Sequence, residues 1–185
     1  MLVPSVLYEQ ELKQLMAERW YDIRYQYYFD GTARSNGYLC PQNRCDESAW
    51  SIREFVSVDK GKVVGFFRYM FSDMTNSCCN FGLCSFDFGN RTFIEDVLLG
   101  FYDIFYTYNF NRIEFLCVSD NPAVDLYRKF ISRYGGREVG TFRQVTKCID
   151  GKIHDCIVFE VLKNDLNADK IEKTVNRIRQ KRSKT

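Results

Sequence analysis

The order of patterns between Ile113 and Leu162 constrains the fold more than any other part of the sequence. A short apolar run of strand type leads into Asp120-Asn121-Pro122, which offers an N-cap and a proline whose fixed φ suits a first helical turn. Apolar residues at spacings of three and four then predict a helix from Ala123 to Tyr134, which Gly135-Gly136 ends. Asp150-Gly151 favours a tight hairpin turn between two further strand patterns. Those two patterns are Arg137 to Cys148 and Ile153 to Leu162.

The first half of the chain predicts a helical start, a meander of strands and an amphipathic helix. Apolar residues at mostly helical spacing from Glu9 to Phe29 indicate one long helix or a broken pair. Three strand patterns joined by turns follow, from Trp50 to Val58, Val63 to Phe71 and Cys78 to Phe88. A rhythm of three and four from Thr92 to Tyr108 then predicts a strongly amphipathic helix.

Composition indicates one domain followed by a tail. At 185 residues, with 45% apolar and 16% aromatic residues, the chain can bury one core. We assign residues 1–166 to the domain and residues 167–185 to a basic, helical tail. The tail is expected to be dispensable for the fold, because Ile171, Val175 and Ile178 form only a thin apolar stripe. No window approaches the roughly eighteen apolar residues of a membrane span, which predicts a soluble, cytoplasmic protein without a membrane partner.

Charge is concentrated in that tail. From Lys170 to Thr185, seven Lys or Arg residues stand against one acid, so the net charge of +2 divides into about +6 there and about −4 elsewhere. A mildly acidic domain favours a cationic or neutral amine as substrate over a nucleic acid. The eight cysteines, several of them inside apolar strand patterns, are typical of reduced thiols that pack as small hydrophobic side chains.

The order of elements resembles the GNAT superfamily of acetyl-CoA-dependent N-acetyltransferases over roughly Trp50 to Leu162. Ala123, Leu126 and Tyr127 match the family pattern Asn-x-x-Ala-x-x-Leu-Tyr, in which Asp120 takes the place of the asparagine. The resemblance implies an α/β (α+β) fold: a mixed, mostly antiparallel, twisted sheet with a central splay, flanked by helices. Acetyl-CoA would lie in that splay, between the third strand of the meander and the strand that begins near Ile113.

The same resemblance places the phosphates of the cofactor at the start of the helix after the meander, where unpaired N–H groups and the helix dipole favour anions. The phosphate-binding residues would be Gly89, Asn90, Arg91, Thr92 and Phe93. Asn121 and the edge of the third meander strand would bind the pantetheine arm. The strand residues concerned are Cys84, Ser85, Phe86 and Phe88. The family's phosphate motif has one glycine here where two are expected, so a turn that only caps the helix is the alternative.

Tyr127 is the residue to which the resemblance gives a catalytic role. Its phenol would lie near the CoA sulfur and protonate the departing thiolate as a general acid. A tyrosine on the buried face of an ordinary helix is the alternative. Asp87, Glu114 and Glu54 are candidates by strand position for the base that accepts the amine proton, although a solvated strand carboxylate is the more usual identity of such a residue. The single histidine, His154, is expected at the surface beside a turn, with a place in the substrate site as the alternative.

Cysteine spacing gives little support for a metal site. Cys40 and Cys45 have four residues between them, which is a loose spacing for zinc. No second knuckle follows, since the remaining cluster is Cys78, Cys79 and Cys84. We therefore expect no metal cofactor.

The function indicated is transfer of an acetyl group from acetyl-CoA to a primary amine, which would be a protein N-terminus, a polyamine or a small amine. The alternative is a non-catalytic binding or scaffold protein on the same fold, favoured by the reduced glycine motif and the displaced asparagine. A nucleic-acid binder would rest only on the basic tail, and nucleic acid is not expected as a partner. The expected partners are acetyl-CoA and the amine acceptor, and a homodimer stays open.

Overall fold

The computed structural model describes residues 1–28 and 52–184. The strands are β1 (Leu2–Pro4), β2 (Ile52–Asp59), β3 (Lys62–Ser72), β4 (Ser77–Ser85), β5 (Arg112–Val118), β6 (Arg137–Lys147) and β7 (Ile153–Leu162). The α-helices are α1 (Glu9–Arg19), α2 (Arg91–Tyr106), α3 (Ala123–Tyr134) and α4 (Ala168–Arg182). Short 3-10 helices cover Ser5–Tyr8, Ile23–Tyr25 and Lys163–Asp165. The strands form one sheet in the order β1-β2-β3-β4-β5-β7-β6.

One pair of neighbours in this sheet, β4 with β5, is parallel, and its pairing is short. The register joins Ser77 to Arg112 and Cys78 to Ile113, and it goes no further. All other neighbouring strands are antiparallel, and β5 stays paired with β7 from Arg112 to Val118. The strands β4 and β5 therefore diverge toward their carboxyl ends. This confirms the expected mixed, mostly antiparallel sheet with a central splay.

The predicted elements are present in the described residues, but two of their ends differ. The first helix is a broken one, because α1 ends at Arg19 and only a 3-10 turn follows before Phe29, where the described residues stop. The third meander strand ends at Ser85 and not at Phe88. There the N–H of Asn90 donates to the carbonyl of Asp87 at 3.0 Å, which turns the chain into α2. Strand β1 had no sequence signal, since only three residues form it.

The main core lies on the face of the sheet that α2, α3 and α4 cover. Aromatic rings dominate it, and Phe67, Phe101 and Phe115 are all buried there. Helix α2 can approach β3 closely because a Cβ at Gly100 would lie 2.5 Å from the Phe67 ring. On the other face, Leu12 and Met16 of α1 pack on the alternate residues of β2 to β4. No helix in the described residues is long and apolar enough to cross a membrane.

The C-terminal segment is part of this core. Ile171 and Val175 of α4 are 0% exposed and belong to the main aromatic cluster. At the end of the helix, Arg182 Nη1 lies 2.5 Å from Oδ1 of Asp96, a fully buried residue of α2. Ser57 Oγ donates to the second oxygen of the same carboxylate at 2.5 Å. The helix is basic, as expected, but its apolar stripe is buried, which contradicts the basis for calling it dispensable.

We predict that α4 is required for full stability. Ile171→Ala should lower the free energy of unfolding by about 2–5 kcal/mol, because it removes a fully buried side chain from a packed core. The matched control is Lys173→Ala on the exposed side of the same helix, which should stay within about 0.5 kcal/mol of wild type. Urea denaturation measures both. Equal, small losses for the two variants would show that α4 does not contribute to the core.

Candidate functional site

The splay between β4 and β5 is the natural place for a ligand in this sheet. Ligands of open sheets bind at the carboxyl ends of parallel strands where neighbouring strands part. Beyond Cys78, the side of β4 that faces β5 has no strand partner among the described residues. Its backbone N–H and C=O groups are therefore available for pairing with an extended ligand. Helix α2 starts just beyond the end of β4, and α3 starts just beyond the end of β5.

The turn from β4 into α2 is built by Asn90. Its side-chain Oδ1 accepts a hydrogen bond from the N–H of Phe93 at 3.1 Å, which caps the helix. The N–H of Asn90 donates to the preceding turn, and the N–H of Phe93 is taken by the cap. The N–H groups of Arg91 and Thr92 are therefore the first-turn donors that have no acceptor within the helix. The Phe93 ring lies against β3, where a Cβ at Gly65 would be only 2.3 Å from it. The predicted phosphate-binding residues are thus held together at the rim of the splay.

The charges around this turn are mixed. Asn90 Nδ2 lies 2.9 Å from Asp87 Oδ2 and 3.4 Å from Asp59 Oδ2, so two carboxylates border the helix start. Arg91 is 75% exposed, and its Nε binds Glu95 Oε1 at 2.9 Å. Asp87 was predicted on a strand, but it lies in the turn after β4 and its carboxylate accepts the Asn90 hydrogen bond. This arrangement stabilises the turn and offers an anion less positive charge than the helix dipole alone would suggest.

The turn from β5 into α3 contains Asp120, at the position of the family asparagine, and Asn121, the asparagine displaced by one residue. Asn121 Oδ1 accepts a hydrogen bond from the N–H of Ala123 at 2.9 Å, which closes the first turn of the helix. Asp120 occupies the position of the family asparagine, and its Oδ2 lies 2.8 Å from His154 Nδ1. The Asp120 carboxylate is therefore bound to the protein in this structure. The Nδ2 group of Asn121 has no partner among the described residues and can still bind a ligand.

His154 is buried and not at the surface, contrary to the prediction. It is 9% exposed and lies between two carboxylates, because its Nε2 is also 3.1 Å from Asp150 Oδ2. Hydrogen bonds to Asp120 and then to Asp150 raise the pKa of the imidazole above its ordinary value. The sequence held one usable signal, since Asp150 precedes His154 by four residues across a tight turn. Asp120 is 34 residues distant, and only the fold brings it near.

Tyr127 is half-buried on α3, beside the splay. Its ring centroid is 4.9 Å from that of Phe115 on β5 and 5.7 Å from that of Phe159 on β7. The ring of Phe115 in turn lies 5.9 Å from that of Phe81 on β4. Tyr127 therefore packs against β5, one of the two strands that border the splay. No described residue forms a hydrogen bond with its hydroxyl. Burial, with a smaller effect from Cys117, raises the pKa of the phenol, which keeps its proton.

The carboxylates predicted as bases are not beside Tyr127. Glu114 alternates with Phe115 along β5, so it lies on the opposite face of the sheet from the tyrosine. There it binds Arg112, whose Nε also binds Glu160 at 2.8 Å. Glu54 on β2 lies 3.6 Å from Nε of Arg68. Neither carboxylate is positioned to take a proton from a group near Tyr127.

The cysteines of the described residues behave as apolar side chains. Cys78 and Cys84 are buried, and burial raises the pKa of both thiols. No group of three or more His, Cys, Asp or Glu residues that could hold a metal ion forms within residues 1–28 and 52–184. Cys40 and Cys45 lie outside the described residues.

We predict that Asn90 stabilises the helix start through its side-chain acceptor. Asn90→Ala should lower the free energy of unfolding by about 0.5–2 kcal/mol, because the N–H of Phe93 loses its partner. Asn90→Ser restores an acceptor at the same position and should recover most of that loss. Chemical denaturation compares the three proteins. An alanine variant as stable as the serine variant would contradict the capping role.

The comparisons with known proteins give likeness in structure and none in sequence. No family model and no curated protein matches the chain. A probable GNAT-family acetyltransferase from Chromobacterium violaceum is similar with a TM-score of 0.63 and 20% identity, covering 89% of this chain and 87% of that one. The microcin C7 self-immunity acetyltransferase MccE, solved with acetyl-CoA and AMP, has a TM-score of 0.62 and 13% identity, covering 86% and 89%.

A polyamine enzyme is also among the similar structures. A chimera of spermidine N-acetyltransferase SpeG from Vibrio cholerae and hSSAT has a TM-score of 0.53 and 21% identity, covering 62% of this chain and 71% of that one. At these identities the likeness shows the fold. The chain therefore has the fold of these GNAT-family acetyltransferases.

Proposed function

We propose that the protein is an acetyl-CoA-dependent N-acetyltransferase that acts on a primary amine. The observation that carries this proposal is the parting of β4 and β5 after Cys78, with Tyr127 half-buried beside the opening. An open strand edge, a helix start and a phenol are the three groups that a thioester cofactor needs for its amides, its phosphates and its leaving sulfur. The likeness to MccE, whose structure was solved with acetyl-CoA, supports the choice of cofactor.

The cofactor would extend along the edge of β4 from the start of α2. Backbone groups of Cys84, Ser85 and Phe86 would pair with the pantetheine amides, as an added strand does. Phe88, in the turn beyond β4, would border the arm near the phosphates. The N–H groups of Arg91 and Thr92 would bind the phosphates at the helix start. The other phosphate-loop positions proposed are Gly89, Asn90 and Phe93, of which Asn90 and Phe93 would shape the loop, because their N–H groups are bonded within the turn. Asn121 Nδ2 would bind the arm from the α3 side.

The β4 bulge supports an assignment for the oxyanion. Gly82 pairs with Arg68 and Cys79 with Met70, so two residues of β4 face Tyr69 alone. A bulge leaves a backbone group without its ladder partner. In this proposal a free N–H of the bulge donates a hydrogen bond to the carbonyl oxygen of the thioester as it becomes an oxyanion.

The reaction then needs one proton to leave nitrogen and one to reach sulfur. The neutral amine attacks the thioester carbon, the new C–N bond forms, and the C–S bond breaks as the tetrahedral intermediate collapses. The nitrogen releases its proton to water, since Asp87, Glu54 and Glu114 are bound elsewhere. Tyr127 donates its O–H proton to the developing thiolate, which leaves as the CoA thiol, and the phenolate then regains a proton from water, so that the proton lost by nitrogen balances the one gained by sulfur. Its raised pKa keeps that proton in place until sulfur becomes negative.

A primary amine is the proposed acceptor class. Net charge does not select it, because the basic helix α4 packs into the same core and brings the chain to a formal charge of +2. The structural likeness to a spermidine N-acetyltransferase agrees with this choice. A protein N-terminus and a small amine belong to the same chemical class and should be assayed beside the polyamines.

A non-catalytic binding protein on the same fold is the second candidate. The observation in its favour is the pair of carboxylates, Asp59 and Asp87, at 3.4 and 2.9 Å from the Asn90 amide. Their negative charge opposes a phosphate at that helix start, whose dipole is worth about 0.3–1 kcal/mol to an exposed anion. A protein that had lost cofactor binding could keep such carboxylates without cost.

Tyr127→Phe tests the catalytic proposal. Removal of the hydroxyl should lower kcat by roughly ten- to a thousandfold in a thiol-release assay with acetyl-CoA and a panel of primary amines, because the leaving sulfur loses its proton donor. Binding of acetyl-CoA should change little, since the ring and its packing remain.

The matched control is Tyr134→Phe on the same helix, where the lost hydroxyl contacts Thr174 at 3.4 Å. It should leave kcat unchanged. Unaltered turnover in the Tyr127 variant would remove this residue from the mechanism. The absence of both turnover and acetyl-CoA binding in the wild-type protein would instead favour the binding protein.

A further inference from the structure

His154 joins two turns that are far apart in sequence. Its Nδ1 lies 2.8 Å from Asp120 in the turn between β5 and α3, and its Nε2 lies 3.1 Å from Asp150 in the turn between β6 and β7. Both ring nitrogens thus face a carboxylate, and a doubly protonated imidazole can donate to both at once. The arrangement is a bridge between a buried imidazole and two carboxylates in exposed turns, and its strength depends on the proton of the imidazole.

The other groups around His154 do not provide a competing positive charge close to the ring. The Tyr27 ring meets the imidazole edge-on at 6.3 Å, and burial raises the pKa of its phenol, which stays neutral. Cys148 and Cys156 are buried thiols that form a small apolar cluster with Val118, and Tyr27 packs against this cluster. Lys152 donates its backbone N–H to Asp150 Oδ1 at 2.9 Å, and its ammonium group acts on Asp150. The charged form of His154 is therefore balanced by Asp120 and Asp150.

The Asp120 end of this bridge belongs to the turn that starts α3. Next to Asp120, Asn121 Oδ1 accepts a hydrogen bond from the Ala123 N–H in the turn that leads into the helix, and Ser119 donates its N–H to the Asp155 carbonyl of β7 at 2.9 Å. The same helix carries Tyr127. A change in the position of Asp120 would therefore move Asn121 and the start of α3 relative to the splay.

We propose that His154 is a positioning residue for the cofactor: it fixes the turn of Asp120 and Asn121 and so couples the binding of a proton to the binding of acetyl-CoA. This inference rests on the proposed function, since it assumes that Asn121 binds the pantetheine arm. His154 does not touch the cofactor in this account. It acts through Asp120.

The direction of the effect follows from the charges. Because folding raises the pKa of His154, the bridge is complete below its ordinary pKa of about 6.5 and is lost as the pH rises through the higher, folded value. Acetyl-CoA should accordingly bind more weakly on the alkaline side of that titration. The coupling is reciprocal, so acetyl-CoA must raise the proton affinity of His154 by the same factor, which raises its pKa by the logarithm of that factor.

The single histidine makes this measurable, because its ring proton signals in an NMR titration need no assignment. The titration is run on the full chain with and without saturating acetyl-CoA. A coupling of about fivefold, at the low end of the usual range, appears as a rise of about 0.7 in the pKa of His154. In Asp120→Asn the rise should disappear, because the imidazole no longer has a charged link to the turn.

Asp150→Asn is the matched control, since it removes the other carboxylate from the same ring. It should lower the pKa of His154 in both titrations and preserve the rise that acetyl-CoA causes. Both substituted aspartates are in exposed turns, so these variants keep the buried ring and its packing.

Three outcomes would overturn the inference. A pKa of His154 that is the same with and without bound acetyl-CoA would remove the coupling and leave the proposed function intact. If acetyl-CoA still raised the pKa of His154 in Asp120→Asn, the shift would come from the distant negative charge of the cofactor phosphates and not from the turn of Asp120 and Asn121. Failure of calorimetry to detect acetyl-CoA binding at any pH would refute the proposed function, and the positioning role with it.

Discussion

The pairing of β4 with β5 ends after two residue pairs, and the rest of the site depends on how the structure tolerates that gap. On the face of the sheet that the helices cover, packed aromatic rings link β4 to β5 where backbone hydrogen bonds between the two strands are missing. Phe101 of α2 contacts Phe81 of β4, with 4.6 Å between ring centroids, and Phe115 of β5 at 6.1 Å. Each such ring pair contributes about 0.5–1.5 kcal/mol beyond its buried area. The helix thus holds the two strands at a fixed separation while their facing edges stay open.

The candidate groups lie where they do because the two strands are held apart with their facing edges open. Strand edges supply backbone donors and acceptors, the two strand ends lead into helix starts, and Tyr127 packs on the inner wall through Phe115. The two helix starts differ in electrostatics. The α2 turn has Asp59 and Asp87 close to its cap, whereas the α3 turn is tied through Asp120 to a histidine that favours its charged form. The first arrangement weakens the case for a bound phosphate, and the second is the basis of the proposed coupling between the proton of His154 and the cofactor.

The sequence predicted those parts of the fold that local patterns determine. The hairpin turn at Asp150-Gly151 and the helix from Ala123 to Tyr134 are present because turn chemistry and apolar spacing act over a few residues. The role of α4 could not be predicted in this way. Its stripe is thin, and only the gap between α2 and α3 makes Ile171 a core residue.

The same reasoning applies to the candidate site. Tyr127 and the helix starts could be predicted from a family pattern, whereas the His154 bridge depends on Asp120, which is distant in sequence. The base candidates depended on strand positions alone, and the structure shows that each carboxylate already has a partner within the protein. Charged side chains on strands say little about chemistry until their neighbours are known.

A crystal structure with acetyl-CoA is the most direct test of the central claim, which is that the opening between β4 and β5 holds the cofactor. The account predicts pantetheine along the edge of β4, the thioester oxygen at the bulge opposite Tyr69, and the sulfur about 3–4 Å from the Tyr127 hydroxyl, a hydrogen-bonding distance for sulfur. An empty splay at saturating acetyl-CoA, or a cofactor bound on another surface, would contradict it.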